Sequence, residues 1–182
     1  MSKAGRIEVV CGSMFSGKSE ELLRRLKRAR IAKKKYQLFK PSVDNRYSDT
    51  EVVSHSGDRL ECQVLQNAFQ ISDFLEDDVE IVAFDEAQFF DTTLVTTAIS
   101  LADMGKRVII AGLDMDSQGR PFGPMPHLLA VAEEVLKLTA VCEVCGEPAT
   151  HTYRITEEDK EQVLVGAGDH YQARCRDHWS AR

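Results

Sequence analysis

A chain of 182 residues, 43% of them apolar and 29% charged, is long enough for one globular domain with a full core and at most a small appendage. Its apolar runs fall short of the ~18 residues that a membrane span needs, and Met1-Ser2-Lys3-Ala4-Gly5-Arg6 lacks the hydrophobic segment of a secretory signal, so a cytoplasmic protein with no membrane partner is expected. The net charge of −6 disfavours nonspecific nucleic-acid binding, which rests on Lys and Arg neutralising phosphates.

Residues 7–11 form a short β-rich run. Gly12-Ser13-Met14-Phe15-Ser16-Gly17-Lys18-Ser19 follows and matches GxxxxGK(S/T) without a mismatch. The two glycines let the backbone bend around an oxyanion with several N–H groups turned inward. Lys18 can reach the outer phosphates, Ser19 is placed to ligate Mg²⁺, and a helix opening here points its positive end at the same anion. The motif needs a strand before it and a helix after it. Beyond residue 20, Leu22, Leu23, Leu26 and Ala29 recur at helical spacing, which meets that requirement and disfavours an accidental glycine-rich turn. Most of the basic block from Arg24 to Lys35 falls opposite this stripe, as a solvated helix face or as a nucleic-acid or nucleotide-steering surface.

A second strand is expected over 36–40, stopped by Pro41, and then a polar loop over 44–49. A hairpin around Ser56-Gly57-Asp58 and a short helix over 67–77 come next. Residues 80–84 are continuously apolar, which suggests a strand buried on both faces of a parallel sheet. A helix over 92–104, a buried strand over 107–113, a Gly/Pro-rich loop over 114–126, a helix to about 134 and a strand over 135–141 complete the body. Strands alternating with helices give an α/β sheet whose ligands sit at the carboxyl ends of the strands, where Gly12, Asp85 and Leu113 fall. From residue 142 the chain turns to short strands, charges and cysteines. The expected division is a body over 1–141 and a small metal-binding domain over 142–182.

Asp85 and Glu86 close the third buried strand. Beside a phosphate loop, Asp85 fits the acid that holds Mg²⁺ through a water. Glu86 points toward whatever reacts with the γ-phosphate. It could activate water, as in an ATPase, or take a proton from a substrate hydroxyl, as in a kinase. A solvated pair of strand-end carboxylates is the plainer reading.

The five cysteines are an odd number, which suits thiols or metal ligands better than a disulfide framework. Cys142-x-x-Cys145 and Cys175-x-x-His178 supply a Cys₃His set that suits structural Zn²⁺, with Gly146 giving the tight turn after the first pair. Redox or unpaired cysteines beside a surface His are the alternative. Cys11 and Cys62 read as packed thiols, and His55, His127, His151 and His170 have no assigned chemistry.

Several motifs, in one order along nearly the whole chain, carry a resemblance. They are Gly12 to Leu22, Phe39-Lys40-Pro41, Asp44-Asn45-Arg46-Tyr47, Ser54-His55-Ser56-Gly57, and Asp85-Glu86-Ala87-Gln88-Phe89-Phe90. Gly112-Leu113-Asp114, Pro121-Phe122-Gly123, Cys142-x-x-Cys145 and Tyr171-x-x-x-Cys175-Arg176-x-His178 complete the set. The chain resembles the thymidine kinases of the cellular, zinc-containing type. The resemblance implies a P-loop NTPase (RecA-like) α/β fold, a parallel sheet with helices on both faces, plus a C-terminal zinc-ribbon or lasso domain. It implies ATP and Mg²⁺ as cofactors, thymidine as substrate, and deoxyuridine beside it.

By the same resemblance Glu86 is the base that deprotonates the 5′-hydroxyl. Gly12 to Ser19 with Asp44, Arg46, Asp85 and Gln88 form the ATP and Mg²⁺ side. Met14, Phe89, Leu113 and Phe122 line the nucleoside pocket. Val163, Leu164, Val165 and Gly166 in the lasso read the pyrimidine edge, with Tyr171 packing nearby. A homotetramer and feedback inhibition by thymidine triphosphate are further implications. Three positions depart from the family pattern: Ser13 where many members have Pro, Ser117 where many have an aromatic residue, and His178 in place of a Cys common in animal members. A nucleic-acid-stimulated ATPase and a zinc ribbon for partner docking are the competing readings. The acidic balance argues against the first, and the second leaves Gly12 to Ser19 unexplained.

Overall fold

The computed structural model describes residues 4–42, 51–53, 59–155 and 170–180. Its first half contains β1 (Arg6–Gly12), α1 (Lys18–Ile31), β2 (Tyr36–Pro41), β3 (Glu51–Val53), β4 (Arg59–Glu61), β5 (Gln63–Leu65) and α2 (Ile71–Phe74). Then come β6 (Ile81–Phe84), α3 (Thr93–Asp103), β7 (Arg107–Gly112), α4 (Met125–Val131) and β8 (Glu134–Leu138). Six strands make a sheet in the order β5-β2-β6-β7-β1-β8, and every pairing in it is parallel. Alternation along each strand sorts the core into two layers. Val10, Leu38, Ile81, Ala83, Ile109 and Ala111 pack under Leu22, Leu23, Leu26 and Ala29 of α1. Val9, Phe39, Val82, Phe84, Val108 and Ile110 face the other way, against α3 and α4. This is the α/β P-loop architecture expected, and β6 is buried at every position. At ~25 cal/mol per Å², each large side chain so buried stabilises the sheet by roughly 1.5–3 kcal/mol.

Three local expectations changed. The helix over 67–77 is a 3-10 turn, Ala68–Gln70, followed by the four residues of α2. Asn67 caps the turn by accepting the Gln70 N–H at 3.2 Å, and the chain is already extended at Leu75, ahead of the acidic run Glu76-Asp77-Asp78. The helix expected to reach residue 134 ends at Val131, because Glu133 docks on β1 at both ends: its N–H donates to Ile7 O at 3.0 Å, and its carboxylate accepts the Ile7 N–H at 2.6 Å. Sheet pairing outcompetes one more helical turn. The strand over 135–141 is split at Thr139, with β8 on β1 and β9 (Ala140–Val141) paired with β10 (Pro148–Ala149). The strands β3 and β4 pair antiparallel as expected, and their turn lies outside the described residues.

Arg25 does not share the solvated face of its basic neighbours. It is 8% exposed and pairs with Glu8, Glu21 and Glu134. Glu8, fully buried in the middle of β1, also receives both arms of Arg107, at 2.6 and 2.7 Å, and Arg6 at 2.6 Å. Burial works to raise the Glu8 carboxyl, but the bonds from Arg107 and Arg25 outweigh it and hold the pKa below the ordinary value. The cluster ties β1, α1, β7 and β8 together at the end of the sheet away from the phosphate loop.

The C-terminal part adds β11 (His151–Arg154), antiparallel to β12 (Tyr171–Arg174). Its core is small: Ala140, Cys142, Ala149 and Ala173. A cluster of this size buries too little apolar area to stand alone, so a metal staple is the physical expectation.

Candidate active site

The carboxyl end of β1 delivers Gly12 at φ +146°, where an added Cβ would come within 2.5 Å of Leu138 O. Gly17, at φ +84°, caps α1. Between them the loop closes on a single carbonyl: Ser13 O accepts from Ser16 Oγ at 2.8 Å and from Lys18 Nζ at 2.7 Å. Glu21 N–H then donates to Gly17 O, which begins the helical ladder. The backbone is therefore shaped as the motif requires, with the helix N-terminus and Lys18 at one point.

Ser19 Oγ donates to Asp85 Oδ2 at 3.1 Å, and so joins the loop to the end of β6. Burial pushes the Asp85 carboxyl up to about 7, with the charge of Glu86 adding to the rise. Burial also lowers Lys18, against the opposing pull of Glu86 and Asp85. A hydroxyl and a carboxylate together offer the hard oxygen donors that Mg²⁺ takes, and a cation would relieve the cost of the buried acid. The donor set fits the ion.

Glu86 is exposed and adopts φ +51°, which turns its side chain off the strand axis. Its Oε2 accepts from Gln88 Nε2 at 2.6 Å, and Gln88 Oε1 accepts the Leu113 N–H at 2.9 Å. The two bonds fix which end of the amide is which, because only Oε1 can accept and only Nε2 can donate. Gln88, expected on the ATP side, is 2% exposed and committed to these two neighbours. Gly123 is part of the same arrangement, since a Cβ there would lie 2.1 Å from Gln88 O.

Of the expected pocket residues, Phe89 and Phe122 meet edge-on with centroids 5.6 Å apart, and Leu113 is tied to them through Gln88. The Met14 main-chain N–H donates to Thr152 Oγ1 in the C-terminal part at 3.1 Å. Tyr171 is buried in β12, opposite Arg154. Asp44, Arg46, Val163, Leu164, Val165 and Gly166 lie outside the described residues.

The four donor atoms of Cys142, Cys145, Cys175 and His178 lie within 4.8 Å of one another. Cys145 Sγ is 3.8 Å from Cys175 Sγ, and His178 Nδ1 is 3.9 Å from Cys142 Sγ and 3.1 Å from Cys175 Sγ. Tetrahedral Zn²⁺ with bonds of ~2.0–2.3 Å needs donor separations of this order. Burial would raise the Cys142 thiol, yet main-chain N–H groups of Cys175, Val144 and Cys145 outweigh it and bring the pKa to about 6. Gly146 makes the expected turn at φ +79°, its N–H donating to Cys142 O at 2.8 Å. This group could hold a zinc ion. Cys11 is elsewhere, a packed thiol that burial pushes up to about 11.

The family model described as "Thymidine kinase" matches residues 5–179. The chain belongs to the thymidine kinase family. A thymidine kinase from Rhodothermus sp. (strain ITI 518) is 55% identical over 172 residues, which cover 94% of this chain and 80% of that relative. A solved structure, domain III of the Thermotoga maritima replication initiation protein DnaA, overlays with a TM-score of 0.43 at 16% identity over 74% of this chain and 55% of that chain, too slight a likeness for any argument to rest on.

Two contacts of this thymidine kinase family member were not foreseen in its sequence. Thr152 meets Met14 across 138 residues. Asp114, 6% exposed, holds Lys137 at 2.6 Å and keeps its other oxygen without a partner among the described residues. For Asp114, the position after Gly112-Leu113 at a strand end was the one available hint.

Proposed function

We propose that the chain transfers the γ-phosphoryl group of ATP to the 5′-hydroxyl of thymidine, and of deoxyuridine, giving the monophosphate and ADP in deoxynucleotide salvage. The family membership and the 55% identical thymidine kinase support the reaction class. The observation that carries the chemistry is the pairing of Glu86 with Gln88 beside the loop that bears Lys18.

Loop amides from Ser13 to Ser19 and the Lys18 ammonium hold the transferred phosphoryl group. Glu86 takes the proton from the nucleoside 5′-hydroxyl as that oxygen bonds to the γ-phosphorus and the bond to the ADP oxygen breaks. A positioned base of this kind contributes ~10²–10⁴-fold. Ser19 and Asp85 would hold Mg²⁺, which would supply neutralisation of the phosphate charge. Phe89, Leu113 and Phe122 flank the base, and Met14 and Tyr171 complete the nucleoside side. Asp44 and Arg46 serve the phosphates, and Val163 to Gly166 close over the pyrimidine so that water is excluded from Glu86. Cys142, Cys145, Cys175 and His178 would hold zinc, which would fix the ends of that segment. Residues 142–182 thus act as a lasso on the 1–141 nucleotide-binding body. A cytoplasmic homotetramer inhibited by thymidine triphosphate completes the reading.

The test is a nucleoside panel with radiolabelled ATP, wild type beside Glu86→Ala. Thymidine monophosphate should form with the wild type and vanish in the variant while ATP still binds. ATP hydrolysis without any phosphorylated nucleoside would overturn the proposal.

A further inference from the structure

Trp179 is the one tryptophan of the chain and follows His178 directly. Its indole stacks on His151, with centroids 4.5 Å apart and planes 27° from parallel. Its Nε1 donates to Ser117 O at 3.3 Å. Its ring edge also covers Gly119, where an added Cβ would come within 2.6 Å of Cη2 and 2.9 Å of Cζ2. One side chain therefore joins the metal knuckle, β11 and the loop that leaves the end of β7.

That loop is internally braced. The Asp116 carboxylate accepts from the Gln118 N–H at 2.9 Å and from the Arg120 N–H at 3.0 Å. Asp116 N–H donates to Arg120 O, Gly119 N–H to Asp116 O and Phe122 N–H to Asp114 O. Met115 and Pro121 form a bridge at its neck. A loop so tied moves as a unit, and its ends are Leu113 and Phe122. What seats its tip therefore sets how those two residues are placed against Gln88 and Phe89. The partners of the indole on the tip are a main-chain carbonyl and a glycine Cα, so the seat is available although Ser117 carries no ring.

We propose that Trp179 is a positioning residue for nucleoside binding: the knuckle formed by Cys175 and His178 seats the indole, and the indole seats the 114–122 loop. This rests on the reading of Leu113 and Phe122 as nucleoside pocket. A plain hydrophobic plug is a poorer account, because the residue is half-exposed and its N–H is spent on one loop carbonyl.

The experiment compares zinc-loaded wild type, Trp179→Phe and Trp179→Ala for thymidine KM, ATP KM, kcat, zinc content and melting temperature. Losing the stack and the bond should raise thymidine KM about 10-fold in Trp179→Ala, with kcat and ATP KM within about 2-fold of wild type and zinc content unchanged. Trp179→Phe keeps a ring without the donor and should fall between, even where the alanine variant folds poorly. In the wild type, saturating thymidine should change the single-indole emission, and stripping zinc with a chelator should move it to the red. An unchanged thymidine KM in both variants, equal losses of both substrates, or an emission indifferent to zinc and to thymidine would overturn the inference. A wild type that phosphorylates no nucleoside would instead overturn the functional reading beneath it.

Discussion

Gln88 offers the sharpest test of how the base is held. Its amide donates to Glu86 at 2.6 Å and accepts from Leu113 N–H at 2.9 Å, so two substitutions separate its ends. Gln88→Leu removes both bonds at nearly constant volume. Gln88→Glu keeps an acceptor for Leu113 but turns the donor end into a second carboxylate against Glu86. A hydrogen bond to a charged group is worth ~1.5–3 kcal/mol, and an orphaned N–H costs ~1–3 kcal/mol. Because Glu86 is exposed, water replaces part of the first amount, and the low end applies. Both variants should therefore lose about 10-fold or more in kcat with little change in ATP KM, since neither alters the phosphate loop. Both should also lose stability in denaturant unfolding, Gln88→Leu by ~1–3 kcal/mol through the orphaned N–H and Gln88→Glu through a carboxyl buried against Glu86. Steady-state kinetics at saturating ATP with thymidine varied measures the first quantity. Wild-type kcat in Gln88→Glu would show that the donated bond does not position the base.

Other consequences can be checked with simple assays. Lys18→Met should cut kcat by ~10²–10³-fold, read as thymidine monophosphate formed per minute, because it removes the one ammonium that lies on the loop. Gly123→Ala must adopt φ +50° with its Cβ 2.1 Å from Gln88 O; thermal melts should show a loss of ~1–3 kcal/mol, and kcat should fall with it. Glu8→Gln leaves three arginines facing a neutral amide and should cost about 3 kcal/mol. Because the folded pKa of Glu8 is depressed, its contribution is present above the ordinary value of 4.5 and is lost as pH falls through the folded value. The stability gap between wild type and Glu8→Gln should therefore narrow as pH drops below 4.5, and a constant gap would contradict the charge account.

What could be read in advance depended on how local the physics was. The α1 stripe announces itself because Leu22, Leu23, Leu26 and Ala29 all face one layer of one sheet. The continuous run ending at Phe84 does so because both faces of β6 are covered. The zinc group was legible as two short-spaced pairs, each nearly complete before the chain folds. Arg25 was not legible. Its partners Glu8 and Glu134 sit on β1 and β8, whose adjacency to each other and to α1 exists only in the folded sheet. Gln88 was assigned by its neighbours in the motif, yet the backbone turn at Glu86 directs it to Leu113. The helix end at Val131 was set by docking on β1, and the chain past Phe74 is held by Gln37, whose Oε1 accepts the Glu76 N–H at 3.0 Å; both are contacts with distant strands.

The bond between Met14 N–H and Thr152 Oγ1 bears on how independent the two parts of the molecule are. If zinc braced only the lasso, removing it would weaken thymidine and spare ATP, and Cys145→Ser would act on one ligand first. Yet β11 and β12 pair with each other, β12 runs straight into Cys175, and Thr152 in β11 holds an amide of the phosphate loop. Loosening the knuckle must therefore reach the loop in weakened form, through one hydrogen bond worth ~0.5–1.5 kcal/mol. Cys145→Ser should then raise the thymidine dissociation constant strongly and that of ATP by only about 2- to 10-fold. Thr152→Val, which keeps the shape without the acceptor, should reproduce the ATP loss alone, and Thr152→Ser should restore it. Calorimetric titration of each ligand separates the effects. Equal ATP affinity in Thr152→Val and wild type would mean that the contact carries no coupling, and that any ATP loss in Cys145→Ser arises by another route.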